Sequence, residues 1–131
     1  MKQQGFTLIE LIAVIVILGI LAAVAVPRFV DLSDAAREAS VGGAAGALSS
    51  ASSLNHANNI ANDAGLTTTT TITLVDSCAD VAGLLDGGLD ADFTITPDTA
   101  IAAEGDAQAC TVVHADDNTI TAGFTAYGVT P

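Results

Sequence analysis

Glu10 is the side chain whose position implies the most chemistry. It carries the only charge between Phe6 and Val26, a run of 21 residues. A carboxylate one turn inside such a segment costs about 2.5–3.5 kcal/mol to insert into lipid, so it implies a paired cation and a functional role. Other reactive groups are sparse. Cys78 and Cys110 lie 32 positions apart, are not a C-x-x-C pair, and have no histidine at zinc-ligand spacing. In an exported domain with a small core they read as one structural disulfide; in a cytosolic one they would be two buried thiols. His56 and His114 read as ordinary surface or interface residues rather than metal ligands. Asp86, Asp90 and Asp92 cluster around Gly87-Gly88, a weak calcium candidate that lacks the EF-hand order and its closing glutamate. A solvated acidic loop is the preferred reading, with no metal or other cofactor. Nothing supplies a nucleophile with its base or a phosphate loop, so no enzyme reading is supported.

The element that must position Glu10 is a helix. At about 1.5 Å per residue, Phe6–Val26 spans roughly 31 Å, the thickness of a bilayer's hydrocarbon core. Lys2 precedes the run and Arg28 and Arg37 follow it, so flanking cations give no clear orientation. A conventional signal peptide cut after Ala25 fits the small residues Ala23-Val24-Ala25, but leaves Glu10 without purpose. Pro27 is expected to kink or break the helix, and Gly19 is the other weak point in the run. Beyond the proline, Phe29, Leu32, Ala36, Ala39, Gly43, Gly46, Ser50, Leu54, Ala57 and Ala61 recur at steps of three and four. They predict an apolar inward face, with Asp31, Asp34, Glu38, Ser49, Ser53 and Asn59 opposite. Gly65 is the expected C-cap, giving a helix from about Phe6 to about Asp63.

The remainder predicts a small head. Thr67–Thr71 is a loop or a patch able to carry sugars, and Ile72–Val75 reads as a strand. A short helix is expected from Cys78 to Leu85, with Val81, Leu84 and Leu85 inward, closed by Gly87-Gly88. Alternation marks strands at Phe93–Thr96, Cys110–Val113 and Ile120–Phe124, with a hairpin turn at Asp116-Asp117-Asn118. The predicted class is α+β: a long N-terminal helix, apolar in its first half and amphipathic in its second, packed on a small antiparallel sheet.

Composition agrees with a domain outside the cytoplasm. The 131 residues are 50% hydrophobic but only 4% aromatic, so the core must be small and aliphatic. The net charge is −12, with no Lys or Arg after Arg37. Such a surface repels phosphate backbones, which argues against nucleic-acid binding.

Gly5-Phe6-Thr7-Leu8-Ile9-Glu10 and the apolar run behind it resemble the N-terminus of a type IV prepilin of the class with short leaders. Pro27-Arg28-Phe29, Asp31-Leu32, Ala35-Ala36-Arg37 and the cysteine pair are more weakly similar to pilins of the mannose-sensitive haemagglutinin type. The resemblance implies a leader of residues 1–5, a transmembrane and filament-core half over 6–27, and a head over 28–131 that includes the outer half of the helix. It implies cleavage between Gly5 and Phe6 by a prepilin peptidase, N-methylation of Phe6, and an assembly role for Glu10 paired with the Phe6 amine. Gly19 and Pro27 match the family's helix-weakening positions. The implied partners are further copies of the chain in a homopolymer, the peptidase, and an inner-membrane assembly platform with a cytoplasmic ATPase. The implied route runs from the inner membrane to an extracellular pilus, as its major subunit, serving adhesion, attachment and motility. A pseudopilin of a type II secretion system shares the same N-terminus and is the competing reading.

Overall fold

A computed structural model describes residues 5–66 and 69–131, and of residues 26–31 the backbone alone. Helix α1 (Leu8–Asp63) is followed by a 3₁₀ helix at Ala79–Leu84 and strands β1 (Phe93–Ile95), β2 (Ala107–His114) and β3 (Asp117–Tyr127). The strands form one antiparallel sheet in the order β1-β2-β3. The protein is therefore α+β, as its patterning predicts. It divides into two compact units, Met1–Ala36 and Arg37–Pro131, and α1 contributes to both.

In the first unit, Thr7 and Glu10 start α1. Its apolar stretch then continues without interruption in the helical assignment, so that of the kink or break expected at Pro27 the break does not appear. Proline removes a single N–H from the ladder, and the hydrogen bonds on either side hold the helix across it. The side chains of Pro27, Arg28 and Phe29 lie outside the described residues.

In the second unit, α1 buries Val41, Ala45, Leu48, Ser52, Asn55 and Asn59. These recur at steps of four and three, so they form one stripe. It is not the predicted stripe. Gly43, Gly46, Ser50, Leu54 and Ala57 are exposed, and Asn59, expected outside, is buried. At about 100° per residue the two stripes lie roughly 180° apart. Ala, Gly and Ser offer little hydropathy contrast, so both stripes fit a helical period. The choice went to the face whose polar side chains bond to the head. Asn55 grips Thr73 as a strand partner would: its Nδ2 donates to the Thr73 carbonyl at 2.8 Å, and the Thr73 N–H donates to its Oδ1 at 3.0 Å. The outer edge of β3 donates Thr125 N–H to Ser49 Oγ at 3.2 Å and Tyr127 N–H to Ser52 Oγ at 2.8 Å. Helix α1 thus supplies acceptors to an edge that would otherwise stand open.

The helix closes as its sequence predicts. Gly65 has φ +77°, its N–H reaches the Asn62 carbonyl, and Leu66 N–H reaches that of Ala61, a Schellman arrangement. The expected strand at Ile72–Val75 is reduced to a single bridge between Val75 and Val129, because no longer partner runs beside it. The expected short helix is 3₁₀ over Ala79–Leu84, with Val81 fully buried and Leu84 and Leu85 packed on the core. The hairpin turn falls at Ala115-Asp116 rather than at Asp116–Asn118, since His114 pairs with Asp117 across a β-bulge. Residues 67 and 68 of the threonine run lie outside the described residues.

Cys78 and Cys110 form a disulfide that joins the segment before the 3₁₀ helix to β2, with Cα atoms 5.8 Å apart. Around it pack Val41, Leu48, Val75, Val81, Val112, Phe124 and Val129. The core is aliphatic, as the scarcity of aromatics requires.

Candidate functional site

The candidate site lies at the start of α1. Gly5 and Phe6 precede the helix in exposed, non-helical backbone, and Phe6 is 87% exposed. A Cβ built on Gly5 would meet nothing within 4 Å. A peptide bond of that kind is open to a protease, whose cleft must approach the backbone closely.

Thr7 and Glu10 then form a capping box. The Thr7 N–H and Thr7 hydroxyl each donate to Glu10 Oε2 at 2.8 Å, and the Glu10 N–H donates to Thr7 Oγ1 at 3.4 Å. The first turn of any helix has N–H groups without partners, and a Thr-x-x-Glu sequence satisfies two of them reciprocally. Sequence analysis that sought only a cation for Glu10 missed this use, although the spacing Thr7-Leu8-Ile9-Glu10 carries its signal. The capping box also lessens the cost of placing Glu10 among apolar neighbours, since its carboxylate accepts two hydrogen bonds.

Behind it lies Leu8–Ala25, long and apolar enough to cross a membrane, with a mean hydropathy of 3.0 and no part of it buried by the rest of the protein. Large side chains such as Ile9, Leu11, Leu18 and Leu21 are all more than half exposed. Each would gain about 1.5–3 kcal/mol on burial, so a membrane or a protein partner must cover this stretch.

The other sequence candidates do not assemble a site. No group of three or more His, Cys, Asp or Glu that could hold a metal occurs among the described residues. Asp90 is engaged locally, its Oδ1 accepting the Asp92 N–H at 3.0 Å. Other aspartates cap backbone. Asp80 Oδ2 accepts Asp76 N–H, Ser77 N–H and the Ser77 hydroxyl, and Asp98 Oδ1 accepts Ala79 N–H. The Asp76 carboxyl is raised from its ordinary value by its hydrogen bond to Asp80 and by that group's charge. Burial pushes Asp80 up, but the hydrogen bonds from Asp76 and Ser77 outweigh it and lower the group overall. These acids hold the cystine loop in place.

The histidines make ring and hydrogen-bond contacts within the head. His114, expected at the surface or an interface, is buried; its Nδ1 accepts the Asp116 N–H at 3.2 Å and its ring meets Phe93 edge-on at 6.0 Å. His56 stacks on Tyr127 with ring centroids 5.0 Å apart.

The site therefore defines a class: an α+β protein whose N-terminal helix is built to lie in a membrane or a helical bundle, with a capped carboxylate near its start. Residues 1–26 match the family model of the prokaryotic N-terminal methylation motif, the leader of type IV prepilins, and this match over the first 26 of 131 residues is consistent with a type IV pilin-like protein. No curated protein and no solved structure matches it. The motif implies processing by a prepilin peptidase, membrane insertion and polymerisation, and the pilin-like class is structural rather than enzymatic.

Proposed function

We propose that this chain is the major structural subunit of an extracellular type IV pilus, cut between Gly5 and Phe6, N-methylated on Phe6 and polymerised through α1. The observation that carries the proposal is the methylation motif continuing into an apolar helix that none of the described residues covers. Residues 1–5 are the leader, 6–27 the transmembrane and filament-core half, and 28–131 the head with the outer half of the helix. The assembled fibre serves adhesion, surface attachment and motility, built from the inner membrane by a platform with a cytoplasmic ATPase.

Cleavage turns the Phe6 nitrogen into a cation next to Thr7, whose own N–H already bonds Glu10. In the fibre this amine pairs with Glu10 of a neighbouring copy and sets the axial stagger of subunits. Gly19 and Pro27 mark where α1 unwinds as an anchor becomes a packed shaft. A continuous α-helix across residues 19–27 in the assembled fibre excludes that step.

Two measurements test the reading. Sheared surface fibres are expected to consist of this subunit beginning at methylated Phe6 by mass spectrometry. Subunits found only in the envelope identify a pseudopilin instead. The Glu10→Leu variant is expected to insert and be processed but to yield at least about tenfold fewer fibres, since a lost buried charge pair costs several kcal/mol. Fibres at the normal yield from that variant would remove Glu10 from assembly.

A further inference from the structure

Near the end of α1, two side-chain atoms are shut away from solvent with no hydrogen-bond partner among the described residues: His56 Nδ1 and Asn59 Oδ1. Buried polar atoms are almost always bonded, so two orphans call for an occupant. Their residues are three apart and so share one helix face. Asn59 is only 1% exposed. The loop 103–106 lies beside both. Asn59 Nδ2 donates to Glu104 Oε1, which fixes the sense of the amide and leaves Oδ1 able only to accept. A Cβ built on Gly105, the next residue, would lie 3.8 Å from His56 Cε1, the ring carbon bonded to Nδ1. The loop is anchored by two hydrogen bonds to the segment after β3. Gly105 N–H donates to the Gly128 carbonyl at 2.9 Å, and Gly128 N–H donates to the Asp106 carbonyl at 3.0 Å.

We infer that His56 Nδ1, Asn59 Oδ1 and the Glu104 carboxylate form a binding site for a divalent transition-metal ion of the zinc or cobalt kind. All three groups offer lone pairs, and a cluster of acceptors is satisfied by a cation. The field favours one as well. The last turn of α1 carries no basic residue to meet its partial negative charge, and the chain has no Lys or Arg after Arg37. The donor set selects the ion, because an imidazole nitrogen beside two oxygens suits zinc or cobalt, whereas calcium and magnesium take oxygen ligands alone. Only two of the three ligands are the usual His and Glu; the third donor is an amide oxygen. Glu104 is exposed, so an ion can enter from its side. Bound there, the ion ties the end of α1 to the loop 103–106. The site lies wholly within Arg37–Pro131 and does not depend on the pilus reading.

The chain carries its own reporter. Tyr127 is the only tyrosine, there is no tryptophan, and its ring stacks on His56 at 5.0 Å. Cobalt(II), which is paramagnetic, is titrated into the full-length chain in detergent micelles with magnesium in large excess. Saturable quenching of tyrosine fluorescence by a single ion per chain is expected, reversed by zinc(II). No quenching, or quenching that magnesium abolishes, overturns the inference, since the latter is diffuse attraction to the acidic surface. Glu104→Gln keeps an oxygen acceptor for Asn59 at an exposed position and removes the charged ligand. It is expected to weaken cobalt binding at least about tenfold, as loss of a ligand costs no less than loss of an outer-shell partner. His56→Gln is expected to do the same, with formation of the Cys78–Cys110 disulfide as the check on folding. Zinc is also expected to raise the thermal midpoint of the parent chain, and to raise that of Glu104→Gln less, because a ligand bound only by the folded state stabilises it. Cobalt affinity or a zinc-induced shift in Glu104→Gln equal to the parent's overturns the inference.

Discussion

Ser52 accepts the Tyr127 N–H at 2.8 Å where no solvent reaches it. An unpaired buried N–H costs about 1–3 kcal/mol, so Ser52→Ala is expected to lower the stability of the head by that amount in chemical denaturation. Ser49→Ala is expected to cost less, because Thr125 is exposed and water can replace the lost acceptor. Ser52 was not legible as a core residue, since Ser, Ala and Gly are nearly equivalent in a hydropathy pattern. Glu10 was legible at once, because a single carboxylate in 21 otherwise uncharged residues needs no structure to be noticed. The Thr-x-x-Glu spacing carries its capping partner Thr7 as well, a signal of helix initiation that is independent of charge pairing.

Between elements, the C-terminal segment shows how tightly the head closes. Gly128 lies beyond β3, its N–H donating to the Asp106 carbonyl and its own carbonyl accepting the Gly105 N–H. A Cβ added there would lie 3.1 Å from Ile101 Cγ2 and closer still to the Ala103 carbonyl oxygen. Backbone cannot yield as a side-chain tip does, so Gly128→Ala is expected to destabilise the head by about 1–3 kcal/mol, read as a lower denaturation midpoint. Local signals placed the helix end at Gly65, the closure at Gly87-Gly88 and the three strands, because each depends on residues close in sequence. They misplaced what depends on distant partners. Ile72–Val75 has strand composition but only Val129 to pair with, and the β2–β3 turn shifted to suit the bulged register beside His114.

Across the whole molecule, an excess of twelve negative charges makes stability depend on how individual carboxylates are held. Asp117 lies below its ordinary value of 3.8, chiefly because the Thr119 hydroxyl and N–H donate to it, with Arg37 and His114 adding weaker attraction. A lowered carboxylate stabilises the fold above its unfolded value and loses that contribution as pH falls through the folded one. Asp80 follows the same sign, while Asp76, raised by Asp80, gains stability on protonation and opposes the loss. Asp117→Asn keeps the acceptor for Thr119 and removes the titration. The drop in thermal midpoint between pH 7 and pH 3 is therefore expected to be smaller in that variant than in the parent chain. Equal drops would show that Asp117 does not contribute to the acid limb.

The sequence by itself determined the processing motif, the membrane-length helix, the α+β class, the acidic surface and the two cysteines available for pairing. These follow from residue type and near-neighbour spacing. Tertiary structure alone decided which face of α1 meets the head. Two stripes rich in small residues satisfy the same helical period, and they are distinguished by Asn55, Ser49 and Ser52, matched to the backbone of Thr73, Thr125 and Tyr127, and by Val41 and Leu48, which enter the core. Those partners lie 18 to 76 residues away, beyond the reach of any local pattern.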